Sequence, residues 1–436
     1  MSLSLTTQFQ LQAGAQIVEF DSSMQGKSYR VELTDGRHFQ VNEKLYYILD
    51  TLRTAMTLPA LAETFAQRTG QTVMLAQLQQ LGAQLVEQGV VTEAGMATIA
   101  PEKAVATPVS YMGLHYRWDI LSPATLAPMV RLLQICFHRG VAAILVGLIV
   151  GAHIWAYRNL GLSLDLQMEA VSLPLLTLVF LVTVIFHELG HLAACQRAQC
   201  PHGPLGFGLY FFMPVFYVDV TAAWRLNRYQ RALVDAGGLY IQLLFVPLAL
   251  LLFWATGDRT YLTVIALIDL VLISNLVPFM KLDGYWLLSD LTGVPNLHTR
   301  AGEAFLGLLS WVWRLVTRRQ NTRSASAFSQ WSGLVRSAVW SYLALSMIFL
   351  PMELFMSGAM LVNVVWTYPA LWQSAISTML TAGTQGDMAT VLAQFGTLFF
   401  PTVVLLGAVA MLKLTWDRQQ AKRKAKARQQ MQLQPA

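Results

Sequence analysis

Residues 171–195 have the sequence VSLPLLTLVFLVTVIFHELGHLAAC, an apolar run with one acidic side chain and two histidines near its end. At a rise of 1.5 Å per residue, a helix of this length can cross about 30 Å of hydrocarbon. Five further apolar stretches are also long enough to span: residues 140–157, 234–255, 261–279, 337–366 and 391–414. The sequence therefore predicts an all-α polytopic membrane protein with about six transmembrane helices.

The composition supports this fold class. Hydrophobic residues make up 55% of the 436 residues and charged residues only 12%, whereas a soluble globular domain contains roughly 25% charged residues. So few charges cannot cover the surface of a water-soluble protein of this length. A soluble enzyme, a disordered protein and a coiled coil are therefore excluded.

The loop charges predict the orientation in the membrane. Arginine and lysine are concentrated before the first span, between the second and third, between the fourth and fifth, and after the sixth. Because basic loops remain on the cytoplasmic side, we predict a multi-pass protein of the cell membrane with both termini in the cytoplasm. The basic tail, residues 417–436, is expected to contact anionic membrane lipid rather than nucleic acid.

The N-terminal part of the chain has a different pattern. Two short strands, residues 29–33 and 38–41, flank an Asp-Gly turn. Three helical patterns follow, with Asn42 and Thr57 as predicted caps of the first two, and Gly89 ends the third before a short Val-Val strand. This outline predicts a small α+β winged-helix-like domain, followed by a less regular connection to the membrane.

The motif HELGH closes the second span and predicts a metal site. His187 and His191 are four residues apart, so that both imidazoles lie on one face of a helix and can reach one cation. Glu188 lies next to the first of them and can take a proton from metal-bound water. The alternative is that the three polar side chains are satisfied within a helix bundle, but their cost in a membrane favours the metal site.

Asp283 is the candidate third ligand. It lies in the sequence NLVPFMKLDG, residues 275–284, at the end of the fourth span. The second and fourth spans cross in the same direction, which places Asp283 at the depth of the HELGH motif. Pro278 is expected to break the helix, and Gly284 to allow a sharp turn that directs the carboxylate inward. The alternative is an ordinary Asp-Gly turn at the membrane interface.

Together these two motifs resemble the signature of the site-2 proteases, a family of intramembrane zinc metalloproteases, over about residues 172–291. The resemblance implies one catalytic Zn²⁺ held by His187, His191 and Asp283, with Glu188 as general base and Asn275 as a substrate-binding residue. The flanking sequences PVFYVDVT (214–221) and DGYWLLSDL (283–291) resemble the peptide zinc metalloprotease branch, which is linked to modified-peptide pathways.

The chain departs from the family pattern in two respects. The third span of the family often carries Gly-x-x-x-Asn, whereas here Gly238 is followed by Gln242; both are predicted as substrate-binding residues. No segment is long enough for the peptide-binding module that many members insert. The N-terminal domain instead resembles the peptide chaperone of pyrroloquinoline quinone biosynthesis, in which a precursor peptide adds as a strand to a sheet edge. A plain interaction domain or a DNA-binding wing are the alternatives.

The expected function is therefore that of an intramembrane zinc metalloendopeptidase that cleaves a precursor peptide or membrane protein near the cytoplasmic face, in modified-peptide maturation or export. The alternative is a non-catalytic, metal-containing membrane partner of peptide-modification or export proteins. The predicted divisions are the winged-helix-like domain (1–100), a linker or interfacial segment (101–139), a metalloprotease core (140–291), a cytoplasmic loop (292–336), further spans (337–416) and the basic tail (417–436).

Three other features allow more than one interpretation. Asp269 in the fourth span either belongs to a polar cavity or pairs with a neighbouring helix. Cys195, Cys200 and His202 could form a second metal site, although an apolar helix end already accounts for the first of them. Residues 206–214 are expected to form an interfacial or re-entrant segment that could hold substrate along a strand edge.

Overall fold

The computed structural model describes residues 7–20, 27–34, 37–93, 114–160, 173–210, 213–276, 281–294, 296–317 and 332–432. The chain divides into two compact units. One comprises Met1–Thr107 and Ser289–Ser341, and the other Pro108–Leu288 and Tyr342–Ala436. Most of the described chain is helical, in agreement with the expected fold class.

The first unit contains a small α+β fold at its N-terminal end. Its strands are β1 (Gln8–Leu11), β2 (Gln16–Phe20), β3 (Ser28–Glu32), β4 (His38–Asn42), β5 (Met56–Thr57) and β6 (Val91–Glu93). Its helices are α1 (Glu43–Thr51), α2 (Leu58–Thr69) and α3 (Leu75–Glu87). Apolar side chains from both sheets and all three helices form one buried core that includes Val31, Leu49 and Phe65.

The helix boundaries follow the capping residues in part. Asn42 caps α1, because its side chain accepts a hydrogen bond from the backbone N–H of Leu45 at 2.9 Å. Thr57 precedes α2, but its side chain makes no capping bond. Gly89 follows α3 with φ +70°, a left-handed conformation that glycine adopts without steric cost.

The sheet topology shows which strands of this domain lie at a sheet edge, where a peptide could add. The strand orders are β5-β1-β6 and β2-β3-β4, and β1 and β2 are strands that the sequence pattern did not indicate. In the second sheet Val31 is paired with Ile17 on one side and Phe39 on the other. The strand at residues 29–33 is therefore central and cannot accept a further strand, and among the described strands the outer edges of this sheet belong to β2 and β4.

The other described helices range from 10 to 52 residues, and most of them are apolar. They are α4 (Pro123–Gln134), α5 (Arg139–Leu160), α6 (Leu173–Arg197), α7 (Arg228–Leu243), α8 (Phe245–Thr256), α9 (Thr260–Leu276), α10 (Asp283–Thr292), α11 (Leu297–Thr317), α12 (Gly333–Thr384) and α13 (Met388–Gln432). Pro351 and Pro369 both lie within α12, which continues through most of the loop predicted after residue 366.

Four helical segments among the described residues are long and apolar enough to cross a membrane. They are Arg139–Asn159, Leu175–Arg197, Arg228–Thr256 and Met388–Asp417, and shorter apolar helices occur at Pro123–Phe137, Thr260–Leu276 and Gly333–Phe349. The predicted fourth span corresponds to the short helix α9, and the predicted fifth lies within α12. The count of six spans remains a prediction.

A third sheet lies in the second unit and changes the interpretation of residues 101–139. Strand β7 (Leu114–Leu121) pairs with β8 (Leu205–Tyr210), which pairs with β9 (Met213–Val218), all antiparallel. The segment expected to be irregular therefore contains a strand and the helix α4. Strand β7 was not predicted because its partner β8 lies more than eighty residues away along the chain. Strand formation that depends on such a distant partner leaves no pattern in the local sequence.

Helices α6 and α7 cross at two glycines. A Cβ atom on Gly237 would lie 2.7 Å from the carbonyl oxygen of Gly190 and 2.8 Å from the side chain of Ala194. Such contacts are too short for any larger residue, so the two backbones can touch only because both positions lack a side chain. This close crossing carries α7 directly past the two histidines of α6.

Candidate metal centre

The structure brings three predicted ligands together. His187 and His191 lie one turn apart on α6, and their Nε2 atoms are 3.2 Å apart. Asp283, the first residue of α10, places Oδ2 2.9 Å from Nε2 of His187 and Oδ1 3.5 Å from Nε2 of His191. Ligand atoms of the three residues all lie within 4.8 Å of one another. Both histidines are buried.

The remaining imidazole nitrogens are each held from α7. Nδ1 of His191 lies 2.8 Å from the carbonyl oxygen of Val234, which can only accept, so that this nitrogen carries the proton. Nδ1 of His187 lies 3.1 Å from Oε1 of Gln242. Ligating histidines are typically oriented by such a partner on the nitrogen that faces away from the metal.

The donor set fits a divalent cation. In the neutral form of His191 the lone pair is on Nε2, which faces Nε2 of His187 and the carboxylate of Asp283, and at most one proton can lie between the two imidazoles. Burial alone would raise the pKa of Asp283, but His191 and His187 hold this pKa well below its usual range. An ionised carboxylate and two imidazole nitrogens directed at one point are the ligand set of catalytic zinc.

Glu188 lies beside this cluster and has a fixed partner. Its carboxylate accepts a hydrogen bond from the backbone N–H of Val218, at the end of β9. The edge of β9 that faces away from β8 therefore lies next to Glu188 and the metal centre. A carboxylate accepts at both oxygens, and this one remains adjacent to the position that the ligands define.

The structure places the three predicted substrate-binding residues as follows. A Cβ atom on Gly238 would lie 2.7 Å from Nε2 of His187 and closer still to Nε2 of His191, so the bare backbone of this residue forms one wall of the metal centre. Gln242 is buried behind His187, at 2% exposure. Asn275 lies in the last turn of α9. Substrate contact by these residues remains a prediction.

Gly284 acts through packing rather than through a turn. It is not among the described glycines with positive φ. Instead, a Cβ atom on Gly284 would lie 2.5 Å from the carbonyl oxygen of Asn275 and 2.6 Å from Cα of Leu276. The missing side chain thus lets α10 begin directly against the end of α9, which brings Asp283 to the histidines. Gly284 is therefore needed for this close packing and not for a left-handed backbone conformation.

Sequence reasoning missed the α7 and β9 groups that contact the motif. These are the carbonyl of Val234, the N–H of Val218 and the glycine contact at Gly237. The Gly237-Gly238 pair in an apolar stretch was the available signal, because adjacent glycines in a helix indicate a close backbone approach. The two backbone groups carry no sequence signal.

Asp269 and the cysteines lie outside this centre. Asp269 accepts from Tyr157 at 2.7 Å and lies 3.0 Å from Nε2 of His153, so it pairs with the neighbouring helix α5. Within the described ranges, His187, His191 and Asp283 form the one group of three or more potential ligands, and Cys195, Cys200 and His202 do not form a second.

Comparison with known proteins gives one partial similarity. No protein-family model and no solved structure matches the sequence. Over 116 residues the chain is 29% identical to the "Putative peptide zinc metalloprotease protein YydH" of Bacillus subtilis (strain 168). The matched part is 26% of this chain and 46% of that protein, so the chain spans less than half the length of this relative. About a quarter of the chain is therefore similar to a protein that carries the name of a zinc metalloprotease.

Proposed function

We propose that this protein is a membrane-embedded zinc metalloendopeptidase that hydrolyses a peptide bond near the cytoplasmic face. The observation that carries the proposal is the convergence of His187, His191 and Asp283 next to the carboxylate of Glu188. A purely structural metal site has no use for a carboxylate at this position. The partial similarity to a protein named as a peptide zinc metalloprotease supports the same reaction class.

The residues divide the chemistry between them. A zinc ion at the three ligands would supply a Lewis acid for the scissile carbonyl and for water. Glu188 takes a proton from the attacking water and delivers it to the departing amide nitrogen. The hydrogen bond from Val218 fixes the orientation of this carboxylate, which keeps the base within reach of the water throughout the reaction.

The outer edge of β9, to which no described strand bonds, is the proposed binding site for the substrate backbone. The N–H and carbonyl of Asp219 bond to the two residues that directly precede β8, Pro204 and Gly203. Because successive residues of a strand direct their backbone groups to opposite sides, the groups of Val218 face away from β8 and toward Glu188. A substrate that pairs along this edge would be held extended, with its carbonyl close to the general base.

The exposed apolar surface supports a location in the membrane. Ile144 is 68% exposed and Leu148 55% exposed on α5, and contiguous apolar surface of this kind requires lipid or another protein as a partner. The basic tail and the alternating loop charges support cytoplasmic termini. Reporter tags at both termini and at residues 322–328 should therefore be cytoplasmic, and a tag at 383–387 should lie on the opposite side. A cytoplasmic signal from the last site would contradict the proposed topology.

Recruitment of a precursor peptide is proposed for the N-terminal domain. Since β3 is occupied on both sides, the receiving edge must be β2 or β4. Proline at Glu19, in β2, or at Gln40, in β4, would remove one outward-facing backbone N–H from each candidate edge. One of the two substitutions should weaken cleavage of a full-length precursor, while cleavage of a short peptide without the recognition segment should continue. Equal effects on both substrates would argue against recruitment.

The central test is Glu188→Gln. This change keeps the size of the side chain and removes the base, so the rate constant for peptide cleavage should fall by about 10²–10⁴-fold. Zinc content, measured on the same sample, should stay at the wild-type level. Cleavage at the wild-type rate would favour the alternative, a non-catalytic metal-containing partner of peptide-modification or export proteins.

A further inference from the structure

A line of buried polar groups runs from α6 to α7 and back to the metal centre. Gln242 is 2% exposed and Thr183 is fully buried. Nε2 of Gln242 lies 3.4 Å from Oγ1 of Thr183, and the hydroxyl of Thr183 donates to the carbonyl oxygen of Phe180 at 2.8 Å. The amide oxygen of Gln242 lies 3.1 Å from Nδ1 of His187.

Each bond in this line has only one permitted direction. The carbonyl of Phe180 cannot donate, so the hydroxyl hydrogen of Thr183 must point to it. The hydroxyl oxygen can then only accept, and its partner must be the NH₂ group of Gln242. This fixes the amide with its oxygen toward His187. Nδ1 of His187 is therefore the donor, and the lone pair of the neutral imidazole is on Nε2, which faces Asp283.

We propose that Gln242, oriented by Thr183, is a positioning residue that sets the tautomer of His187 so that Nε2 is available to a metal ion. The inference rests on the proposed metal centre and assigns Gln242 a role in ligand geometry instead of substrate contact. The second ligand, His191, is held in the same tautomer by the backbone carbonyl of Val234.

The two histidines need different partners because of the helix crossing. At Gly190 and Gly237 the backbones of α6 and α7 touch, and there a backbone carbonyl is near enough to reach His191. One turn earlier on α6, Nδ1 of His187 instead contacts a side chain of α7, that of Gln242. A glutamine is suited to this place, because its amide supplies the acceptor for the imidazole and a donor for Thr183.

The test measures zinc affinity, so that it does not depend on proteolysis. The zinc dissociation constant of the purified full-length protein is measured by competition with a chelator at fixed pH. Gln242→Leu should weaken zinc binding by about 10–100-fold, the usual effect of losing an outer partner of a histidine ligand. Gln242→Glu keeps an acceptor at Nδ1, and the hydroxyl of Thr183 can turn to donate to the second carboxylate oxygen. Its zinc affinity should therefore stay within about threefold of wild type, since a carboxylate orients such a histidine equally well.

Thr183→Val tests the orientation of the amide without removing it. The substitution conserves shape and removes one hydroxyl, and zinc binding should weaken by about fivefold, as expected for one hydrogen bond. Thr263→Val is the matched control, because Thr263 is also buried in an apolar helix. Its hydroxyl makes only a long hydrogen bond of 3.5 Å, to the carbonyl of Arg259 just before that helix. This control should bind zinc as the wild type does.

Two results would overturn the inference. Wild-type zinc affinity in both Gln242→Leu and Thr183→Val would show that the tautomer does not depend on this line of groups. An equal loss in Thr263→Val would show that removal of any buried hydroxyl lowers zinc affinity, and an equal loss in Gln242→Glu would show that an acceptor at Nδ1 does not set the tautomer. A raised KM with unchanged zinc affinity in Gln242→Leu would instead support substrate contact. Complete absence of zinc from the wild type would refute the proposed metal centre itself.

Discussion

Two buried polar clusters in the same unit differ in how their groups are matched. In the cluster of His153, Tyr157 and Asp269, every hydrogen-bond acceptor of the carboxylate is paired with a donor. Both carboxylate oxygens of Asp269 receive a donor, one from Tyr157 and one from His153, and the other nitrogen of His153 lies 2.8 Å from the carbonyl of Ile149. In this arrangement the imidazole donates at both nitrogens and balances the charge of the carboxylate.

The metal centre has the opposite character. Its outward-facing nitrogens are occupied by Val234 and Gln242, and the inward-facing atoms are two imidazole nitrogens and a carboxylate that converge on one point. Acceptors directed at each other are costly in an apolar surrounding unless a cation lies between them. The comparison shows that residue type alone does not distinguish a ligand histidine from a structural one. The distinction is that at the metal centre two imidazole nitrogens face each other at 3.2 Å and share one carboxylate, whereas His153 has the carboxylate of Asp269 to itself.

The largest expected difference between the clusters is in zinc content. The double substitution His187→Ala/His191→Ala should reduce zinc from about one ion per chain to near zero, because two of three ligands are lost. The matched change in the other cluster, His153→Ala, should leave zinc unchanged. Elemental analysis of purified samples provides the measurement, and equal zinc in all three proteins would remove the distinction drawn between the clusters.

A steric substitution sharpens the comparison. Gly238→Ala places a methyl group against Nε2 of both ligands, and overpacking of this kind costs about 1–3 kcal/mol, so zinc affinity should fall by about tenfold or more. Gly151→Ala on α5 is the control, because no atom lies within 4 Å of the added methyl group. Chelator competition compares the two variants. Similar zinc affinities in the two variants would mean that the backbone at Gly238 shifts to accommodate the methyl group without displacing the two histidines.

The smallest effect is expected at Tyr157. Tyr157→Phe removes one hydrogen bond to the carboxylate of Asp269, and the free energy of unfolding should decrease by about 1–2 kcal/mol. Zinc affinity and the rate of peptide cleavage should not change, since the hydrogen bonds of this cluster do not involve the residues of the metal centre. A thermal or denaturant unfolding curve, recorded beside a zinc titration, separates the two outcomes. A loss of zinc in this variant would show that the clusters are coupled.

The ligands were predictable because their signals are local. His187, Glu188 and His191 lie within one and a half turns of a helix, and apolar residues surround them. The place of Asp283 followed from the direction of two spans. Helix α1 likewise begins at the predicted Asn42, because capping depends on atoms within three residues of each other.

Long-range pairing was not predictable in the same way. β7 exists because it bonds to β8, and β3 is a central strand because β2 lies beside it. Strand formation depends on neighbours that are distant along the chain, and a one-chain pattern contains little information about them. The role of Gly284 was misjudged for a related reason: the contact that requires a glycine is made with Asn275 and Leu276 on another helix.

The sequence by itself determined the apolar helical character of the chain, the helix face that carries the two histidines, and the chemical types of the ligands, since each depends on composition or on spacing within one helix. Only the tertiary structure decided that the two imidazoles hold their protons on Nδ1, that a bare glycine backbone closes the centre, and that an edge strand reaches Glu188. The direction of the imidazole lone pairs and the close approach of α6 and α7 both depend on the distance between helix backbones in space. The spacing of residues along the chain does not determine that distance.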